Sequence, residues 1–120
     1  MENVKAENVD IVIIGAGFSG MYAIQRLRKD YSVICFESGD GVGGTWYWNR
    51  YPGARVDIMS VEYSYGFDED LQQEWKWPKY FSAQPDLERY ANHVADRFDL
   101  RDNIRFSNPV KSLRFDDDSG

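Results

Sequence analysis

Three glycines, spaced Gly15-x-Gly17-x-x-Gly20, are the residues most able to do chemistry. Each has a mechanical task in holding a phosphate. Gly15 turns the chain sharply, and Gly17 lets a pyrophosphate approach the backbone. Gly20 brings a helix close to a strand. A helix starting there points free N–H groups and a partial positive charge at the anion. Glu37 follows 17 residues after Gly20. A carboxylate at that spacing accepts hydrogen bonds from a ribose diol and repels a 2′-phosphate, so the first site suits FAD or NAD rather than NADP. Gly39, Gly41, Gly43 and Gly44 then crowd ahead of Thr45-Trp46. Small residues there would let backbone N–H groups reach the pyrophosphate or the flavin side of a longer cofactor. The competing readings are a tight turn that binds nothing, a solvated strand-end carboxylate and a flexible loop.

The surrounding pattern must position these residues. Residues 9–14 are apolar and β-branched apart from Asp10, which predicts a buried strand running into Gly15. A helix should follow, with Gly20, Ala23, Ile24 and Leu27 on its buried face. Residues 32–36 predict a second buried strand, completing a βαβ unit with a parallel sheet. Residues 45–77 have no clean period and predict a long excursion with one short helical turn; such stretches are usually functional. Gln84-Pro85 opens a second helix whose buried stripe is Leu87, Tyr90, Ala91, Val94 and Phe98. Residues 104–106 and 110–115 predict two more strands, and residues 116–120 a hairpin turn. The expected class is α/β, a Rossmann-like parallel sheet with the start of an antiparallel hairpin.

Composition narrows the function. The chain has 120 residues, a size that suits one domain, and a formal charge of −6, which disfavours nucleic-acid binding. Sixteen per cent of residues are aromatic, which points to flat binding surfaces or an aromatic core. Cys35 is the single cysteine, so no internal disulfide forms. That and the absence of a leader pattern or a membrane span predict a cytoplasmic protein. Cys35 reads as a small apolar residue, and His93 as a solvated helix histidine. No zinc-ligand spacing and no Ser/His/Asp arrangement is present.

The run from Val42 through Gly44-Thr45-Trp46-Tyr47-Trp48-Asn49-Arg50-Tyr51-Pro52-Gly53-Ala54-Arg55-Val56 to Asp57 resembles the Baeyer–Villiger monooxygenases, class B flavoprotein monooxygenases. Gly15 to Gly20, Tyr63-Ser64-Tyr65, Glu74-Trp75, Ser82 to Pro85 and Tyr90 to Leu100 resemble them too. The likeness runs in register from about Asp10 to Phe115. It implies that Gly15, Gly17, Ser19 and Gly20 hold the FAD pyrophosphate and that Glu37 holds the adenosine ribose. Thr45, Trp46, Tyr47 and Trp48 would pack beside the cofactor. Asp57 would sit near the isoalloxazine, with Tyr63 close by, and Val110 would present its backbone to the adenine. Arg55, Val56 and Asp57 would border the nicotinamide of NADPH. On residues alone, Trp46 and Trp48 would share a face if the segment were extended, and Arg55 and Asp57 could simply pair.

The family uses NADPH, FAD and dioxygen to turn a ketone into an ester or lactone. This sequence lacks the family's second glycine fingerprint, its linker signature and its catalytic arginine. The expectation is therefore an N-terminal part of an FAD-binding domain over residues 1–120, without the NADPH domain and inactive alone. A free-standing FAD-binding module and a piece of an N-oxidising flavin monooxygenase are the alternatives.

Overall fold

The computed structural model describes residues 6–120. A three-stranded parallel sheet, ordered β1-β2-β3, lies at its centre: β1 is Ile11–Ile14, β2 is Val33–Phe36 and β3 is Ile104–Arg105. Ile11 pairs with Val33 and Ile14 with Phe36, while Cys35 pairs with Ile104. The β1 and β2 starts are stapled by side chains. The Asp10 carboxylate accepts from the Ser32 N–H (2.9 Å) and hydroxyl (3.0 Å), and the Asp10 N–H donates to Ser32 Oγ (2.8 Å). Those bonds hold the Asp10 carboxyl below its usual range.

Helix α1 (Phe18–Leu27) connects β1 to β2 and buries Gly20, Met21 and Ile24. Met21 takes the place that the periodicity gave to Ala23 and Leu27, which are half-buried. The single turn α2 (Thr45–Trp48) and the short α3 (Glu69–Glu74) interrupt the long excursion, two helical pieces where one was expected. The Asp68 side chain caps α3 by accepting from the Leu71 N–H (2.8 Å). Helix α4 (Gln84–Arg97) starts with proline in its first turn and buries Leu87, Tyr90, Ala91, Val94 and Ala95. A 3₁₀ turn at Leu100–Asn103 leads into β3.

The core joins α1, α4 and one sheet face. Met21, Ile24, Val33, Cys35, Leu87, Tyr90, Val94 and Leu100 are all buried. Cys35 is apolar filling, as expected; burial pushes its thiol up to about 11, with the Glu37 charge adding to the effect. An aromatic layer of Phe18, Tyr63, Tyr65 and Phe67 continues the core towards Tyr90, Trp75 and Trp77. Arg28, just past α1, donates to the carbonyls of Asp99 (2.9 Å) and Phe98, so it covers the carbonyl end of α4.

Two expectations are corrected. The sheet buries one face only: Val12 and Ile14 are 48% and 54% exposed, because no described element packs over them. Residues 110–115 are not a strand. No neighbouring chain offers them a ladder, and Leu113 and Phe115 are both 75% exposed. The turn itself does form, with the Gly120 N–H on the Asp116 carbonyl (2.9 Å) and two further bonds to the Asp116 carboxylate. The antiparallel hairpin is therefore reduced to its turn. No helix among the described residues is long and apolar enough to cross a membrane.

Candidate dinucleotide site

The glycine loop sits where β1 hands over to α1. Gly15 adopts φ +94°, a conformation that glycine takes without strain. Its N–H donates to the Phe36 carbonyl (2.8 Å), which extends the sheet by one rung. A Cβ on Gly20 would lie 1.9 Å from the Gly15 carbonyl oxygen, so only glycine permits this helix to seat so near the strand. Gly17 begins α1 and no side chain caps that end. The N–H groups of the first turn therefore lack intrahelical partners, and Ser19 is exposed beside them.

A second loop closes on the first. The Gly43 N–H donates to the Ala16 carbonyl (3.0 Å). Gly44 has φ +56°, and a Cβ there would come within 2.9 Å of Gly17 Cα. The two backbones touch, and a side chain at Gly44 would push them apart. Gly39 and Gly41 have another task. A Cβ on Gly39 would lie 2.5 Å from the Tyr47 ring and one on Gly41 3.1 Å from it, so these two glycines seat that ring.

Glu37 joins the two loops. Only 4% exposed, it accepts from the Ala16 N–H at Oε1 (2.9 Å) and the Gly39 N–H at Oε2 (2.8 Å). Its own N–H donates to Arg105 and its carbonyl accepts from Asn108 (2.9 Å). A solvated strand-end carboxylate is thereby ruled out. Oε1 carries a single donor and keeps a lone pair for another.

Helix α2 brings the aromatic run alongside. Its helical turn sends Trp46 and Trp48 in different directions, where an extended segment would have set them on one face. Trp46 donates from its indole N–H to the Tyr63 hydroxyl (2.9 Å) and meets that ring edge-on. Trp48 lies edge-to-face on Tyr47 and is 59% exposed. The Tyr47 hydroxyl donates to the Asp40 carboxylate. Thr45 is exposed.

Farther along, Val56 is buried, with its N–H on the Ser82 carbonyl (3.0 Å), while Arg55 and Asp57 are exposed. No ion pair joins Arg55 to Asp57 among the described residues. Val110 borders a shallow hollow with Phe36, just after Asn108 binds the Glu37 carbonyl. The structure thus brings the Gly15–Gly20 loop, Glu37 and the loop ahead of α2 into contact with one another. His93 is half-buried, 3.2 Å from Glu74 and against the Trp75 ring, rather than solvated. Gln84, Glu88 and Arg50 escaped the sequence reading as site residues, although Gln84 and Arg50 bond to the α2 backbone and Glu88 accepts from both of them. Gln84 and Glu88 share one helix face at i and i+4, the only sign of them in the sequence.

The geometry fits a dinucleotide pyrophosphate: positive-φ glycine, an uncapped helix start, and a surface where a Cβ would intrude. Among the described residues no group of three or more His, Cys, Asp or Glu is placed to hold a metal.

Comparison with known proteins agrees. Residues 13–73 match the NAD(P)-binding Rossmann-like domain family. Over 96% of its length the chain is 45% identical to acetone monooxygenase (methyl acetate-forming) of Gordonia sp. (strain TY-5), and covers 22% of that protein. Cyclohexanone 1,2-monooxygenase of Acinetobacter sp is 37% identical over 90% of the chain, which spans 20% of it. Phenazine N-monooxygenase of Lysobacter antibioticus is 40% identical over 90% of the chain, again across 20% of the relative. Among solved structures, a steroid monooxygenase bound to NADP superposes with TM-score 0.81 at 54% identity, covering 82% of this chain and 19% of that one. OTEMO in complex with FAD and NADP superposes with TM-score 0.86 at 41% identity, covering 95% and 22%. The chain thus spans about a fifth of the length of the relatives it matches. It belongs to the NAD(P)-binding Rossmann-like domain family, and its homologues include the Baeyer–Villiger monooxygenases.

Proposed function

We propose that residues 1–120 are the N-terminal part of the FAD-binding domain of an NADPH- and O2-dependent monooxygenase that converts ketones to esters or lactones. The observation that carries this reading is the contact between the two glycine loops at Gly17 and Gly44, beneath an uncapped helix start. Gly15, Gly17, Ser19 and Gly20 would hold the pyrophosphate and Glu37 the adenosine ribose. Thr45, Trp46, Tyr47, Trp48, Asp57 and Tyr63 would flank the flavin, and Val110 the adenine. Arg55, Val56 and Asp57 would border the nicotinamide of NADPH, whose own domain is not among these residues. Bound FAD supplies the redox chemistry and the reaction with oxygen. The residues here bind and orient it, and the buried Glu37 carboxylate fixes the loop that receives the phosphates.

A cytoplasmic setting is part of the same proposal, supported by the unpaired, buried Cys35. The acidic charge supports the view that nucleic acid is not a partner. The 40% identity to a phenazine N-monooxygenase favours one second reading, oxygen transfer to nitrogen. Activity on ketones against aromatic amines separates the two.

Titration with FAD, followed by flavin and tryptophan fluorescence, tests the binding itself. Saturable quenching is expected, and Gly17→Leu should abolish it while the chain stays folded. Quenching that survives Gly17→Leu, or a folded wild-type chain with none, would overturn the reading.

A further inference from the structure

Helix α2 cannot hold its own position. It is one turn of four residues, buries none of them and has no side-chain cap at its N-terminal end. A single turn has the cost of nucleation and almost none of the gain of propagation. Its last carbonyls have no partner within the helix, and two residues from outside it take them up. Gln84, at the head of α4 and 7% exposed, donates from Nε2 to the Trp46 carbonyl (2.5 Å). Arg50 donates from Nε to the Tyr47 carbonyl (2.8 Å) and lies over the Tyr47 ring.

Glu88 ties these two donors together. Its Oε2 accepts from Gln84 (2.7 Å) and its Oε1 from Arg50 (2.7 Å). The Glu88 side chain is about a quarter exposed and that of Arg50 about half, so water screens the ion pair in part and the hydrogen bonds fix its geometry. One carboxylate therefore orients the two groups that bond the Trp46 and Tyr47 carbonyls. Directly before α2 lies the Gly43-Gly44 loop, which rests on Gly17.

We propose that Gln84, Glu88 and Arg50 are positioning residues: they fasten α2 to α4 and so press the Gly43-Gly44 loop, Trp46 and Tyr47 against the dinucleotide cradle. The inference rests on the FAD reading above. None of the three needs to touch the cofactor. Their effect on it passes through the backbone of α2.

The test compares Glu88→Ala, Glu88→Gln and Arg50→Lys with Arg89→Ala. Arg89 lies on the same helix but, among the described residues, pairs with Asp86 and not with the α2 clamp. Amide hydrogen exchange of residues 45–50 is measured without FAD, and FAD affinity and the visible circular dichroism of bound flavin are measured with it. In Glu88→Ala, exchange should rise and FAD affinity should fall, each about tenfold, the scale of one charge-assisted hydrogen bond. The flavin band should change shape while the melting midpoint stays near the wild-type value. Glu88→Gln keeps an acceptor for Gln84 and should be intermediate; Arg89→Ala should match wild type. Arg50→Lys keeps the charge but loses the Nε donor, and it should raise exchange even if Glu88→Ala fails to fold. Unchanged exchange in both Glu88→Ala and Arg50→Lys, or an affinity loss equalled by Arg89→Ala, would overturn the proposal. If exchange responds but the wild-type chain takes up no FAD, the clamp stands and the cofactor reading falls.

Discussion

Glu37 and Gly20 show how much one residue can fix. Both stood out in the sequence, as the last glycine of the fingerprint and the acid 17 residues after it. What was not legible is how Glu37 is employed. Its two oxygens bind the Ala16 and Gly39 N–H groups, so it shapes the loop itself, apart from the ribose contact proposed for it. Spacing along a chain cannot show this, because the bonds depend on how two loops meet in space. Gly20 gives a clean prediction. An added methyl would collide with the Gly15 carbonyl, which is backbone and cannot rotate away. Gly20→Ala should cost on the order of 3 kcal/mol, read from urea unfolding. An unchanged midpoint would mean that α1 can lift off the strand freely.

Elements were legible in proportion to how much they rely on their own pattern. The β1–α1–β2 unit and α4 carry strong periodicity and appear within a few residues of where it places them. Residues 110–115 have a convincing alternation, yet a strand exists only where a neighbour completes its hydrogen bonds. Helices α2 and α3 are too short to have a period. They exist because other groups hold them: a capping aspartate for α3, the α4 side chains for α2. Arg28 acts likewise across elements, closing the carbonyl end of α4 from the end of α1. Truncation to Arg28→Ala should lower stability by about 2 kcal/mol, since two acceptors lose a charged donor. Thermal melting checks this, and Arg28→Lys should restore part of the loss.

For the molecule as a whole, the decisive feature is a sheet covered on one side. Val12 and Ile14 lie exposed on β1, which is also the edge strand of the sheet among the described residues. Leu113 and Phe115 add apolar surface nearby in sequence to the turn. Edges and apolar faces of this kind invite pairing between chains. The 120-residue chain should therefore associate at micromolar concentration, visible by light scattering, and Val12→Lys with Ile14→Lys should reduce it. A monodisperse wild-type monomer would contradict that expectation.

The same sheet seals Cys35 at its centre, bonded in parallel register between Ile13 and Ile104. Fully covered, and protonated well beyond neutral pH, its thiol offers no nucleophile to an alkylating reagent while the strands are closed. Modification must wait for a fluctuation that parts β2 from a neighbour. The cysteine thus keeps time for the breathing of the sheet: its labelling rate counts openings that no folded-state probe would register.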